Sequence, residues 1–383
     1  MTARSRDEPH RASTPLELLF DLCFVVAVSQ AAIGLHHELA AGQVGAGLLR
    51  YAMIFFAIWW AWMNFTWFAS AYDTDDVPYR LLTLVQIAGV LILAAGVSDA
   101  FEHFDLTTVF VGYVIMRVAM IAQWLRAAAE FPDGRDTALR YAAGVAFCQL
   151  CWALRLLLPA PWAGIAFGVL VLLEIAVPIW AEFHGNPTTW HPEHINERYG
   201  LFTLIVLGEC VAAATVAIQS ATTDHGLSAR LLVLAGAGLV LVFGLWWSYF
   251  KHDAVEGLQA SLWWSILWGY SHYLIFGAVA ALGAGLEVVV ESLDHGGELS
   301  TVGSAFTVAI PVAVFLVVAG PIHALMTNAV GIRQRYVIGT AALVLISAAL
   351  AGALTLCGSV VAMAVLVAAV VGAGVVVGQR PQR

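Results

Sequence analysis

Charge is scarce in this chain. Only 11% of its 383 residues are Asp, Glu, Lys or Arg, against roughly a quarter in an ordinary soluble domain. With 61% hydrophobic residues, too little polar side chain remains to cover a water-exposed surface, and a soluble globular fold is excluded. Lysine is nearly absent: Lys251 is the only one. It stands at the end of an apolar run, which excludes a retinal Schiff base in mid-membrane. The net charge is −9 and sits in short turns between apolar runs, so nucleic acid is excluded as a partner. The five cysteines, Cys23, Cys148, Cys151, Cys210 and Cys357, all lie in apolar stretches without zinc spacing. Neither a disulfide framework nor a metal site is expected, and no cofactor is implied. Cys148 and Cys151, one turn apart in an apolar helix, read as packing residues. Long polar loops are missing too. The longest runs from Glu182 to Asn196, too short for a soluble catalytic domain. A removable signal peptide is not expected, because residues 1–13 are charged and no small-residue cleavage site follows the first apolar run.

What the chain has in abundance is apolar runs of membrane-spanning length, about 20 residues each. Twelve are expected, at 14–36, 45–70, 79–99, 106–128, 137–158, 161–181, 197–219, 229–250, 262–289, 302–324, 336–354 and 356–378. The predicted fold class is all-α: a polytopic membrane helix bundle of about twelve transmembrane helices. The split at Leu354 to Leu356 is the weakest boundary, with eleven spans as the alternative.

Basic residues accumulate on the cytoplasmic side of membrane proteins. With the N-terminus inside, the inner ends hold Arg4, Arg6, Arg11, Arg80, Arg126, Arg135, Arg140, Arg198, Lys251, Arg333, Arg335, Arg380 and Arg383. The outer ends hold only Arg50, Arg155 and Arg230. Both termini are therefore expected in the cytoplasm, and the protein in the plasma membrane. A faint internal repeat sets "LFDLCFVVAVSQAA" of span one over "LFTLIVLGECVAAA" of span seven, and "WWAWMNF" over "WWSYFKH". Two six-helix units, 1–187 and 188–383, would then share one orientation, as in parallel transporter repeats.

Ionisable groups inside a membrane cost roughly 2.5–3.5 kcal/mol each on insertion scales, so those present need partners or a purpose. Glu17 and Asp21 lie four apart on one face of span one: either one is protonated, or a cation such as Arg198 or Arg80, or a bound metal or proton donor, sits between them. Glu209, Arg117 and His272 fall deep in spans seven, four and nine, with Glu174 in span six. Asn64, Gln86, Gln123 and Gln149 add neutral polar groups. Converging, these would line a polar cavity. Otherwise Arg117 pairs with Glu209 or Glu174 as a structural clip, and His272 hydrogen-bonds a neighbouring helix. Asp73, Asp75 and Asp76 precede span three, where helix capping is the expected role. The tryptophans, among them Trp59, Trp60, Trp62, Trp67, Trp246, Trp247, Trp263, Trp264 and Trp268, read mostly as interfacial belts or helix contacts. Pro178, Pro311 and Pro321 are candidate helix breaks, and the small residues of the last two spans read as close packing.

Four stretches carry a family resemblance: "TPLELLFDLCFVVAVSQ" at 14–30, "WWAWMNFTWFASAYDTDDVPYRLL" at 59–82, "HINERYGLFTLIVLGECV" at 194–211 and "WWSYF" at 246–250. In these the chain resembles the low-temperature-requirement A (LtrA) family of bacterial membrane proteins. The resemblance implies the same helical architecture and puts weight on Glu17, Asp21, Asp75, Asp76, Arg80, His194, Glu197, Arg198 and Glu209. One departure is "WWSYFKHDA", where an acid closer behind the aromatic pair is expected and Asp253 is the nearest substitute.

Buried titratable groups, the repeat and the lack of extramembrane domains favour transport of an ion or small solute, by a proton- or ion-coupled carrier or a channel. The alternatives are an intramembrane enzyme acting on a lipid-linked substrate, with Glu209 or Glu17 and His194 or His272 as acid and base, and a sensor or scaffold of membrane state. The expected partners are the lipid bilayer and an ion or small solute.

Overall fold

The computed structural model describes residues 1–4, 12–184, 186–226, 228–251, 253–294, 297–327 and 332–378. Of the bases used for orientation, Arg6, Arg11, Arg380 and Arg383 lie outside them. In lipid every backbone N–H and C=O must be satisfied within its own segment, and helices do this. Twelve helices of 18 residues or more form among the described residues. They are α1 (Pro15–Ala40), α2 (Val44–Ala71), α3 (Val77–Ala95), α4 (Thr107–Glu130), α5 (Arg135–Arg155) and α6 (Ala160–Phe183). The series continues with α7 (Pro192–His225), α8 (Ala229–Phe250), α9 (Leu262–Asp294), α10 (Thr301–Met326), α11 (Ile332–Ala349) and α12 (Leu356–Gly378). Beyond short helical turns, the described residues add only a two-residue antiparallel strand pair, Thr2–Ala3 with Tyr72–Asp73.

Ten of the twelve are long and apolar enough to cross a membrane. The other two are α5, which carries Arg135, Asp136, Arg140 and Arg155, and α11, whose apolar part spans only Gln334–Ala349. The last apolar stretch does divide. A short helix, Ala351–Leu354, ends at Thr355, whose φ of 67° is a left-handed conformation that a β-branched residue adopts only under constraint. The candidate proline breaks do not interrupt their helices: Pro178 lies inside α6, and Pro311 and Pro321 inside α10.

Contacts group the chain into two compact units. The first comprises Met1–Ala27, Ala57–Val97 and Asp105–Arg198; the second comprises Val28–Phe56, Ser98–Phe104 and Tyr199–Arg383. Unit boundaries fall inside α1, α2 and α7, so this grouping divides the chain differently from the two sequence halves.

In the first unit α3 and α4 meet at glycines. A Cβ on Gly112 would fall against the Gly89 carbonyl oxygen and the Leu93 backbone, and one on Gly89 against Met116 and the Gly112 carbonyl. Only glycine allows backbones this close. Towards the start of α3 and the end of α4 the approach is fastened by a polar ladder, in which Gln86 Nε2 donates to Gln123 Oε1 at 2.9 Å and Gln123 Nε2 to Thr83 Oγ1 at 3.3 Å. In the second unit α9 and α10 approach in the same way, with Thr307 backbone in the space a Gly285 side chain would need.

Candidate functional site

The first unit holds two sets of charged side chains inside its helices, and the chain's local chemistry positions both. Thr14 and Glu17 open α1 as a capping box. The Glu17 N–H donates to Thr14 Oγ1 at 3.3 Å, and Glu17 Oε2 accepts from the Thr14 N–H at 2.6 Å and its hydroxyl at 2.8 Å. This fixes one carboxylate oxygen and leaves Oε1 facing α7. There His194 Nε2 lies 3.3 Å from it and Arg198 Nη1 3.4 Å.

One turn deeper, Asp21 is held by a fork. Arg198 donates Nη2 to Oδ1 at 2.5 Å and Nε to Oδ2 at 3.1 Å, and Trp62 of α2 adds its indole N–H to Oδ1 at 2.7 Å. His194 and Arg198, also four apart on one helix face, meet this pair together: His194 reaches Glu17, and Arg198 reaches both carboxylates. All four charged groups are sealed off, with Glu17 2% exposed and Asp21, His194 and Arg198 at 0%. Glu197, on the same turn, accepts the Ser13 N–H at 3.2 Å and ties the entry of α1 to α7.

The second set centres on Glu174 of α6. Its Oε1 accepts from the Tyr113 hydroxyl at 3.0 Å, Gln149 Nε2 at 3.2 Å and Trp152 Nε1 at 3.1 Å, and its Oε2 accepts from Trp60 Nε1 at 2.8 Å. Arg117 stands 3.8 Å away and donates to the Tyr113 hydroxyl at 2.7 Å. Of the two partners considered for Arg117, then, the structure supplies Glu174. Four neutral donors and a cation saturate this carboxylate.

Trp60 and Trp62 correct the reading of the tryptophans. Both are fully buried hydrogen-bond donors to carboxylates, whereas Trp246, Trp247 and Trp263 are largely exposed. A buried indole N–H usually finds an acceptor, and lipid offers none.

Of the three aspartates expected to cap α3, Asp73, Asp75 and Asp76, the structure shows Asp76 doing so. Its carboxylate accepts the Tyr79 N–H at 3.0 Å and is gripped by the Arg126 guanidinium, Nη1 donating at 2.7 Å. Those hydrogen bonds hold its pKa down at about 2. Asp75 pairs instead with Arg80, accepting at 2.7 and 2.6 Å in the open. Glu182, at the end of α6, pins the following loop by accepting the Thr188 N–H at 2.9 Å and its hydroxyl at 2.7 Å.

Glu209 and His272 belong to the second unit. His272 is fully buried, its Nδ1 2.7 Å from the Trp268 carbonyl and its Nε2 2.9 Å from the Tyr249 hydroxyl. A carbonyl accepts only, so Nδ1 carries a proton, and both ring nitrogens are engaged. Glu209 is half-buried and within electrostatic range of Glu287. Glu287 itself lies 3.3 Å from His36 Nδ1, while Glu291 lies 3.0 Å from His36 Nε2. Sequence reasoning singled out neither His36 nor Glu287. The only signal is an acid inside the span-nine run, four residues before Glu291. Among the described residues no group of three His, Cys, Asp or Glu side chains is arranged to hold a metal ion, and the cysteines are free thiols.

Residues 12–372 match the family model of the bacterial low temperature requirement A protein. The chain belongs to the LtrA family. It is also similar to the uncharacterized protein RA0937 of Rhizobium meliloti (strain 1021), 27% identical over 307 residues that cover 76% of this chain and 72% of that protein. This LtrA protein is thus a multi-pass helical membrane protein, and the stretches that carry the family resemblance contain Glu17, Asp21, Trp62, His194 and Arg198.

Proposed function

We propose that this LtrA protein is a proton- or ion-coupled transporter in which Glu17, Asp21, His194 and Arg198 form the coupling site. The observation that carries the proposal is the charge balance of that sealed set. Two carboxylates face one guanidinium and one imidazole, so the group is neutral when His194 is protonated and carries one net negative charge when it is not. Desolvation penalises an unbalanced charge. Loss of the proton therefore favours entry of a cation in its place, and arrival of a proton favours the cation's release. Such exchange is how intramembrane carboxylates and histidines move protons against a second charge.

In this reading all twelve helices cross the inner membrane with both termini in the cytoplasm. The two halves, 1–187 and 188–383, descend from a parallel repeat, and the transport step supports growth at low temperature. The thirteen-to-three partition of basic residues and the twelve long helices support the topology. Glu209 and His272 are polar groups of the second unit.

The test is flux. Purified protein in liposomes, with a trapped pH-sensitive dye, is challenged with gradients of monovalent cations and with a membrane potential. Wild-type protein is expected to couple proton movement to one of them. His194→Gln and Asp21→Asn should cut it at least tenfold. Glu17→Gln, which keeps the capping box because glutamine serves there as well, should alter the coupling without loss of folded protein. Absence of wild-type flux for every cation, or full flux in His194→Gln, would overturn the proposal.

A further inference from the structure

The second unit contains a cavity of about 650 Å³ where four helix ends come together: the last turns of α8, α10 and α12 and the first turn of α11. That volume lies within the range of small-molecule sites, about 300–1,000 Å³. Its lining changes character along its length. At the mouth stand Lys251, the only lysine of the chain, with Gln334, Thr327 and Ser248. Arg335, exposed, sits between the lining residues Gln334 and Tyr336 on α11. Deeper in, the walls are Phe315, Leu316, Val370 and Val371. From His323 back to Phe315 is eight residues of helix, about 12 Å at 1.5 Å per residue.

Two further observations fix what this gradient suits. First, Trp247 and Tyr336 flank the mouth at 45% and 65% exposure; exposed indole and phenol rings gather at the headgroup level of a bilayer. Second, among the described lining residues Lys251 and His323 are basic and none is a carboxylate. Asp253, two residues beyond Lys251, accepts the Val255 N–H at 3.0 Å ahead of the short helix Val255–Ala260. A cationic mouth at headgroup depth over an apolar trough is the pattern of a lipid site between transmembrane helices.

We propose that this cavity binds an anionic phospholipid, with its phosphate at Lys251 and the α11 entrance and one acyl chain along Phe315, Leu316 and Val371. The site is separate from the charged set of the first unit and does not rest on the transport reading. Lysine supplies a point charge with three donors that suits a phosphate, and the apolar trough holds what a soluble phosphate lacks.

Native mass spectrometry of the purified full chain, given equal phosphatidylglycerol and phosphatidylcholine in detergent, reads out the preference. Wild-type protein should retain phosphatidylglycerol at least tenfold over phosphatidylcholine. Lys251→Gln should erase the preference while leaving some binding of either lipid. Ala373→Trp, at an exposed lining position, should fill the trough and reduce both lipids without unfolding the helices. Glycerol 3-phosphate should compete poorly. Equal binding of the two lipids to wild-type protein would overturn the proposal, as would an unchanged preference in Lys251→Gln. Displacement by millimolar glycerol 3-phosphate would overturn it in favour of a soluble anion.

Discussion

Trp60 and Trp62, two residues apart on α2, donate their indole N–H groups to two different buried carboxylates, Glu174 at 2.8 Å and Asp21 at 2.7 Å. Each residue turns a helix by about 100°, so a spacing of two places the side chains about 200° apart. One helix thereby braces both charged sets of the first unit.

The two indoles are not equal in what they leave behind. Glu174 keeps Tyr113, Gln149 and Trp152 when Trp60 is lost, whereas Asp21 keeps only Arg198 among the donors described when Trp62 is lost. Trp62→Phe is expected to destabilise by about 1.5–3 kcal/mol, the range for hydrogen bonds to charged groups, and Trp60→Phe by about 1 kcal/mol. Thermal unfolding in one detergent ranks them. A larger loss for Trp60→Phe would mean that saturation of Glu174 is not what protects it.

Asp21 and Arg198 should behave as one unit. Removing one member of a buried pair strands the other charge, at about 3–5 kcal/mol. Arg198→Met alone is expected to fall in that range, and Asp21→Leu together with Arg198→Met to recover more than half of the loss. Glu17 retains its capping bonds to Thr14 in both variants. Equilibrium unfolding of the two single variants and the double variant closes the cycle, and additive losses would show that the pair is not coupled.

Much of this architecture is legible in the residues, and the exceptions have physical causes. The eighth expected span, 229–250, coincides with α8, because charged or turn-forming residues punctuate a uniformly apolar run. The seventh was expected at 197–219, but α7 begins at Pro192. Hydropathy reads "PEHINER" as loop, since it has no way to know that His194 and Arg198 discharge into the Glu17 and Asp21 carboxylates. Arg198, counted among the inner loop bases, is for the same reason fully buried. The Thr14-x-x-Glu17 capping box stands open in the sequence, and its spacing could have marked the start of α1 and the orientation of Glu17. Trp60 and Trp62 could not be told from belt tryptophans, because an indole at a membrane interface and an indole on a buried carboxylate have the same local pattern. Only the tertiary partner distinguishes them.

The glycine contact between α3 and α4 predicts a position-specific intolerance to side chains. At Gly112 a larger residue meets backbone, which cannot rotate aside. Gly112→Leu is expected to lower stability by at least the 1–3 kcal/mol typical of overpacking, and to reduce the yield of folded protein in detergent. Gly168, on α6, has open space where a side chain would go. Gly168→Leu is the matched control and should leave unfolding within about 0.5 kcal/mol of wild type. Equal tolerance at both positions would show that α3 and α4 are not held this close.

The cap of α3 gives the protein an acid-sensitive contact whose two parts separate by mutation. Asp76 is held at a pKa of about 2 in the folded protein by the Arg126 hydrogen bonds, below the ordinary aspartate value of 3.8. A depressed carboxylate stabilises the fold fully above the unfolded-state value, and that contribution fades as pH falls from 3.8 towards about 2. Asparagine caps a helix about as well as aspartate, so Asp76→Asn removes the charge and keeps the cap. Its deficit should stay below about 1 kcal/mol because the carboxylate is partly exposed to solvent. The deficit should be constant near neutral pH and close as pH approaches 2. Asp76→Ala also loses the bond from the Tyr79 N–H, which adds about 1 kcal/mol. At neutral pH the alanine variant therefore shows both losses, and in acid it keeps most of the capping loss while the asparagine variant converges on wild type. Unfolding midpoints of the three proteins across this pH range measure the two terms. A deficit of Asp76→Asn that persists unchanged at pH 2 would show that the Arg126 pair is not the source of the shift.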